Sequence, residues 1–253
     1  MDDAWVRHVT SILEYLDACA MSPDGQALQS SRDLMTSLDA WSFFGSSEHY
    51  GLQIRALDIL QRIAYHDVDG EAVTDIASWS LERWLRVLQR YPRSVPALRG
   101  IGCWWLSRAQ PGLARIHAVD GSSSGSEGSR HPSSVEVGPH CEEETQANIQ
   151  IQREAEARLG THDYVEARGY LQPATEYLRR AVDEASSQSN ITSHLLITAA
   201  EAYMSLGNVS SPRDGEALFT QAIYYLRQAS RIPGYPLPAH LQKWLDDYGR
   251  WVN

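Results

Sequence analysis

The chain has 253 residues, of which 43% are hydrophobic and 21% charged, and it carries a formal net charge of -10. This composition suits a folded protein with a sizeable core, and 17 glycines and 11 prolines are too few for a fibrous or wholly disordered chain. Because nucleic acids and anionic membranes are polyanions, the acidic surface opposes their approach. We therefore expect neither a nucleic-acid partner nor membrane association.

The cysteines and the N-terminal residues predict a location in the cytoplasm or the nucleus. Cys19, Cys103 and Cys141 form no CxxC pair, which argues against a disulfide framework and a structural zinc site. The start, MDDAWVRHV, lacks the basic residues and the unbroken apolar run of a signal peptide. Nowhere does the sequence reach the roughly 18 apolar residues that a membrane-spanning helix needs.

Hydrophobic residues recur with a period near 3.6 along almost the whole chain, which predicts an all-α fold. Turn and capping residues separate the periodic stretches, and the short links between them predict antiparallel helical hairpins. The predicted helices are 3–20, 26–40, 50–66, 72–91, 95–109, 143–160, 164–187, 192–206, 215–231 and 238–251.

One long interval lacks this periodicity. Residues 120–139 read DGSSSGSEGSRHPSSVEVGP, which offers almost nothing apolar to bury in return for ordering the backbone. We interpret residues 119–142 as a flexible, surface-exposed insertion; regulation by phosphorylation of its serines is the alternative. It divides the chain into an N-terminal helical block, residues 1–118, and a C-terminal block of hairpins with a capping helix, residues 143–253.

A pattern of small and large residues occurs twice in the C-terminal block. Leu159-Gly160 and Leu206-Gly207 lie 47 residues apart, and an Ala-Leu-Ala triplet with spacings of 4 and 3 follows each pair. A glycine at a helix crossing lets two helices approach closely, and we expect Leu226 to fill the space beside Gly207. Such hairpins leave an apolar face exposed, so neighbouring hairpins must stack. The triplets are Ala174, Leu178, Ala181 and Ala222, Leu226, Ala229.

These residues resemble the tetratricopeptide-repeat family, which places an aromatic residue and Leu-Gly on one helix, an Ala-apolar-Ala triplet on the next, and then a proline. Tyr203 and Pro233 complete the match in the last hairpin. The stretch after Pro92, with Leu98, Ile101, Gly102 and Trp105, resembles the first helix of an earlier repeat. The resemblance covers about residues 80–234 and implies a TPR-like α-solenoid that binds other proteins in a groove. An ordinary helical bundle is the alternative.

Arginines and tryptophans near this proline are the candidate partner-binding residues. Three of the arginines share one face of a predicted helix, and guanidinium groups bind carboxylates and phosphates in a bidentate manner. The tryptophans can anchor a partner side chain. The alternatives are a solvated basic face and a tryptophan core. The candidates are Arg83, Arg86, Arg90, Arg93, Trp104 and Trp105.

Catalytic motifs are weak by comparison. The dipeptide His66-Asp67 resembles the metal-binding pair of all-helical HD phosphohydrolases, with His49 and Asp75 as further ligands. The sequence has no phosphate-binding glycine loop, nucleophile elbow or HExxH motif, so we predict no catalytic residue, cofactor or metal. The leading hypothesis is a non-enzymatic scaffold or adaptor that binds a peptide or helix, acidic if it contacts the arginines. The alternatives are an obligate subunit of a complex and a metal-dependent hydrolase.

Overall fold

The computed structural model describes residues 3–67, 70–124, 153–154 and 156–251. Within these ranges every regular element is helical and none is a strand, which confirms the all-α prediction. The elements are α1 (Asp3–Cys19), α2 (Gly25–Ala40), α3 (Tyr50–Ala64), α4 (Thr74–Arg90), α5 (Val95–Ser124), α6 (His162–Ser187), α7 (Ser193–Asn208), α8 (Pro212–Ser230) and α9 (Ala239–Tyr248), with 3-10 turns at Phe43–Gly45 and Gly249–Trp251.

Polar side chains begin several of these helices where the sequence predicts caps. The Asp24 carboxylate accepts a hydrogen bond from the backbone amide of Ala27 at 2.7 Å, at the start of α2. Ser211 caps α8 in the same way, and Pro212 follows it at the first helical position, where its missing N–H costs nothing. Helix α8 therefore begins three residues before the predicted start at 215.

Helix α5 is much longer than the predicted helix 95–109. It continues through Pro111 to Ser124, because Ala109, Leu113 and Ile116 extend its apolar stripe and are buried against α6. The predicted end at residue 109 is therefore wrong, and residues 119–124 of the predicted insertion are helical. The remainder of that insertion, residues 125–142, lies outside the described residues, as does most of the predicted helix 143–160.

The partner of α6 is α5, and the two helices run antiparallel. Arg93, just before α5, contacts Glu184 near the end of α6, whereas Arg115 contacts Asp163 at the start of α6. As the residue numbers increase along α5, the numbers of the contacting residues on α6 decrease. The sequence prediction places Leu159-Gly160 on the first helix of a hairpin with α6; most of that predicted helix, 143–160, lies outside the described residues, and its pairing with α6 stays a prediction.

The glycine at the crossing of α5 and α6 is Gly102. A Cβ atom placed there would lie 2.6 Å from Cγ of Leu178, so only glycine allows this approach. Gly160 lies in the turn before α6, and a Cβ atom on it would meet only the carbonyl oxygen of Ala157, at 3.4 Å. At the crossing of α5 and α6, the glycine in close contact is therefore Gly102 and not Gly160.

Helices α7 and α8 form the next antiparallel pair, joined by residues 209–211. Gly207 does lie at a close contact, since a Cβ atom there would be 2.7 Å from the Phe219 ring. Leu226, expected to fill this space, is two turns further along α8 and is buried in the core that α6, α7 and α8 share. Leu241 of α9 closes the exposed end of that core.

Helix α5 lies between the two halves of the chain. Ala97 and Ile101 belong to the core of α1–α4, whereas Leu98 belongs to the core of α6–α9. Two glycines allow the close approach on both sides: a Cβ atom on Gly100 would lie 2.4 Å from the Trp84 ring of α4, and Gly102 faces α6. Residues two apart on a helix point about 200° apart, which is why this pair serves opposite neighbours.

Candidate peptide-binding groove

A groove of about 630 Å³ opens at the turn between α4 and α5. We call it the junction groove, and its side chains come from the start of α3, the α4–α5 turn and the α6–α7 loop. Its lining includes Tyr50, Arg90, Tyr91, Arg93, Gln188 and Asn190. It therefore lies where the sequence places the repeat junction, around Pro92.

The floor of the junction groove is held by hydrogen bonds and an aromatic contact. Tyr91 directly follows α4, and its carbonyl oxygen accepts a hydrogen bond from the Ser94 amide at 2.9 Å. The Ser94 hydroxyl accepts from the Ala97 amide at 3.1 Å and is bonded to the Tyr50 hydroxyl at 2.6 Å. The Tyr50 and Tyr91 rings meet edge to face, with centroids 4.9 Å apart. This turn is consequently fastened to both α3 and α5.

Arg93 connects the turn to the end of α6. Its Nε donates to a Glu184 carboxylate oxygen at 2.8 Å, and its Nη2 donates to the Ser187 hydroxyl at 3.0 Å. The Gln188 side-chain amide donates back to the Arg93 carbonyl oxygen at 3.0 Å. The Arg93 guanidinium lowers the pKa of Glu184 below its usual value. The side chain of Arg93 nevertheless remains 68% exposed at the groove rim.

Arg90 lies at the rim of the junction groove, and Arg86 continues the row of positive charge along the exposed face of α4, outside the lining of the groove. Arg90 donates to the carbonyl oxygen of Gly45, and Arg86 lies one helical turn before it, beside the 3-10 turn Phe43–Gly45. Within the described part of the chain, no carboxylate oxygen lies within 4.0 Å of either guanidinium. The nearest acidic residue on the same helix face, Glu82, is already bonded to Arg83 at 2.6 Å.

Arg83 has a different environment from the other predicted arginines. Only 7% of this residue is exposed, and its guanidinium binds Asp39 of α2 through contacts of 2.8 to 3.0 Å. It also lies over the Trp79 ring, 5.0 Å from the centroid, while the Trp79 indole donates to Asp39 at 2.9 Å. Arg83 therefore joins α4 to α2 and offers almost no surface to a partner.

The predicted tryptophans lie on α5, outside the junction groove. The Trp104 indole donates to the carbonyl oxygen of Ala77 at 2.8 Å, and its ring meets Tyr65 edge to face. Trp105 packs against the N-terminal core and lies 6.1 Å from the Tyr170 ring. Both residues are partly buried, and their contacts connect α5 to α4 and α6.

The proposed hydrolase ligands have separate partners. His49 stacks on Phe43, and Asp75 binds Arg32 at 2.7 Å. His66 Nδ1 lies 3.0 Å from a carbonyl oxygen of its own helix, and Asp67 accepts from the Gly70 amide at 3.1 Å. Among the described residues, the group whose metal-type ligand atoms lie close together is instead His162, Asp163 and Glu166, and Arg115 bonds to both of these carboxylates.

Sequence reasoning finds Arg90 and Arg93 in the groove but misses Tyr50, Gln188 and Asn190. Tyr50 is 44 residues from its partner Ser94, and Gln188 is 95 residues from Arg93, so no local pattern links them. Comparison of the chain with known families finds no family model that matches, and comparison with curated proteins finds no match. In the described residues, no helix combines the length and the apolar character that crossing a membrane requires.

Proposed function

We propose that this protein is a non-enzymatic scaffold or adaptor that binds an extended segment of another protein in the junction groove. The observation that carries the proposal is the combination of an aromatic floor, a basic rim and side-chain amides in one groove of about 630 Å³. Peptide grooves use this combination: apolar surface supplies affinity, and a few polar groups fix the position of the peptide.

The arrangement of hairpins supports a TPR-like α-solenoid. Pairs α5–α6 and α7–α8 follow one another, with α9 over the last pair, and the core of α6–α9 is shared between the pairs. Gly102 and Leu178 meet in the relation that the tetratricopeptide motif gives to its glycine and its central apolar residue. Loops that a rigid scaffold holds in place often contain binding residues, and the junction groove lies at the α4–α5 turn of this helical scaffold. Location in the cytoplasm or nucleus stays a prediction.

Selection from a random library of displayed peptides tests the proposal. We expect peptides that bind the wild-type chain and no longer bind Asn190→Trp, because an indole at position 190 would fill the groove. Gln242→Trp is the matched control, since Gln242 is an exposed residue of α9 away from the groove. Peptides that bind both variants equally, or a selection that yields no binding peptide, would count against the junction groove.

A second candidate function, an obligate subunit of a complex, is favoured by an aromatic cleft between α8 and α9. It has a volume of about 590 Å³, and Phe219, Trp244 and Tyr248 line it. Tyr248 is 53% exposed and its ring lies 5.4 Å from that of Trp244, so the cleft presents a contiguous aromatic patch that suits a covering partner. Light scattering on the purified chain tests this candidate: a stable, soluble monomer would favour the adaptor instead.

A further inference from the structure

We infer that the ligand of the junction groove is an extended acidic segment, with carboxylates at alternate positions, of a partner protein. This inference rests on the proposed function and adds the chemistry of the partner. It depends on three features: the unpaired charge of Arg86 and Arg90, the spacing of these two residues along α4, and the aromatic floor beside Arg90.

Charge is the first feature. Several exposed arginines of this acidic chain have acidic neighbours: Arg115 binds Asp163 at 2.8 Å and Glu166 at 2.7 Å, and Arg179 binds two carboxylates as well. Arg86 and Arg90 have no such neighbour among the described residues, although the chain has ten more acidic than basic side chains. A pair of uncompensated guanidinium groups on an acidic protein attracts a carboxylate from outside the chain.

Spacing is the second feature. Residues four apart on a helix have Cβ atoms about 6 Å apart, so Arg86 and Arg90 present their charges side by side along α4. In an extended peptide, residues two apart on one face are separated by about 6.6 to 6.8 Å. Carboxylates at alternate positions of an extended ligand therefore match the two arginines. Arg93 follows in the turn after α4, where Glu184 already compensates its charge, so the acidic ligand is inferred from the charges of Arg86 and Arg90 alone.

The floor supplies the third feature. Tyr50 and Tyr91 place their rings in the groove between the α4 rim and the α6–α7 loop. A ligand side chain that points opposite to its acidic neighbours reaches this surface, and an apolar residue suits it. The ligand class is thus acid, apolar, acid, in an extended conformation. A phosphoserine can replace either acid, because phosphate offers guanidinium the same bidentate acceptors.

Fluorescence anisotropy with a labelled decapeptide tests the inference. The peptide contains a Glu-Leu-Glu sequence, and a second peptide replaces both glutamates with glutamine. We expect the double variant Arg86→Glu, Arg90→Glu to bind the acidic peptide at least about tenfold more weakly than wild type. Arg213→Glu with Arg231→Glu is the matched control, because it makes the same change in net charge at exposed arginines on α8 and at its end, and we expect wild-type affinity.

The outcomes separate the inference from the proposed function. Equal binding of the acidic and glutamine peptides, insensitive to the rim variant but abolished by Asn190→Trp, would overturn the acidic preference and retain the groove. No binding of the acidic peptide by wild type would also overturn the inference, and the displayed library would then decide whether the groove binds peptides at all. Tighter binding of a phosphoserine peptide supports anion recognition and identifies phosphate as the source. Preferential binding of a single-stranded oligonucleotide would overturn the peptide assignment.

Discussion

The Gly100→Ala variant tests how closely α5 approaches α4. The new Cβ atom would lie 2.4 Å from Cε2 of Trp84, which is far below van der Waals contact. Trp84 is only 1% exposed, and its indole donates to Gln61 at 2.7 Å, so the ring cannot turn away without breaking this bond. The Gln61 amide in turn donates to the Gly100 carbonyl oxygen at 3.0 Å. One added methyl group therefore disturbs α3, α4 and α5 together.

Two opposing terms set the magnitude. Alanine in place of glycine favours a helix interior by about 1 kcal/mol, whereas overpacking a rigid core costs about 1–3 kcal/mol. Because a buried ring held by a hydrogen bond yields little, we take the upper part of that range. The expected net loss in the free energy of unfolding is then about 1–2 kcal/mol, which in a chain of this size lowers Tm by about 2–8 °C.

Gly169→Ala is the matched control within the neighbouring helix α6. Gly169 is exposed, and a Cβ atom there would meet nothing within 4 Å. Only the propensity term remains, so this variant should be more stable than wild type by about 0.5–1 kcal/mol. Urea denaturation followed by circular dichroism measures both variants. If Gly100→Ala is stabilised as much as Gly169→Ala, α5 does not approach Trp84 as closely as described, and the reasoning fails.

Two further predictions concern ion pairs. Asp39→Ala should lower the free energy of unfolding by about 1–3 kcal/mol, because it leaves the buried Arg83 guanidinium without its main acceptor. Asp33→Ala, a change at an exposed residue of the same helix, should have little effect. Urea denaturation measures both variants. Arg93→Ala should raise the pKa of Glu184, which Arg93 now lowers. Since a lowered carboxyl pKa stabilises the fold above the unfolded-state pKa, this contribution fades as the pH falls below about 4, and NMR titration of Glu184 measures the change.

Local chemistry allowed the sequence to predict most helix boundaries. Asp24, Thr192 and Ser211 cap helices close to where the pattern places them, since their side chains bond to amides only three residues away. The pairing of α5 with α6 could not be predicted in this way. The rule that joins neighbouring helices assumes a short link, and here residues 125–161 separate the two helices.

The residues of the candidate site likewise separate into those that local sequence predicts and those that only tertiary contacts place. Arg90 and Arg93 lie beside Pro92, so the junction that the sequence reveals also contains them. Arg83 is one turn from Arg86 on the same helix, but its guanidinium binds Asp39. Asp39 is 44 positions away in the sequence, and hydrophobic periodicity does not predict a contact between them. Tyr50 reaches the groove only because α3 packs against the turn, a relation that depends on tertiary structure.

The insertion predicted at residues 119–142 begins at the end of α5 opposite the junction groove, so a change in its length need not disturb the groove. Because α5 and α6 are antiparallel, the junction groove is formed at the start of α5 and the end of α6, whereas the long link joins their opposite ends. Helix α5 has 30 residues, which separates the two sites by about 45 Å. Lengthening a loop adds little closure entropy, about 0.6 kcal/mol for each doubling. The close contacts at Gly100 and Gly102, together with the hydrogen bonds of Ser94 and Arg93, therefore hold the walls of the groove together, and the link does not.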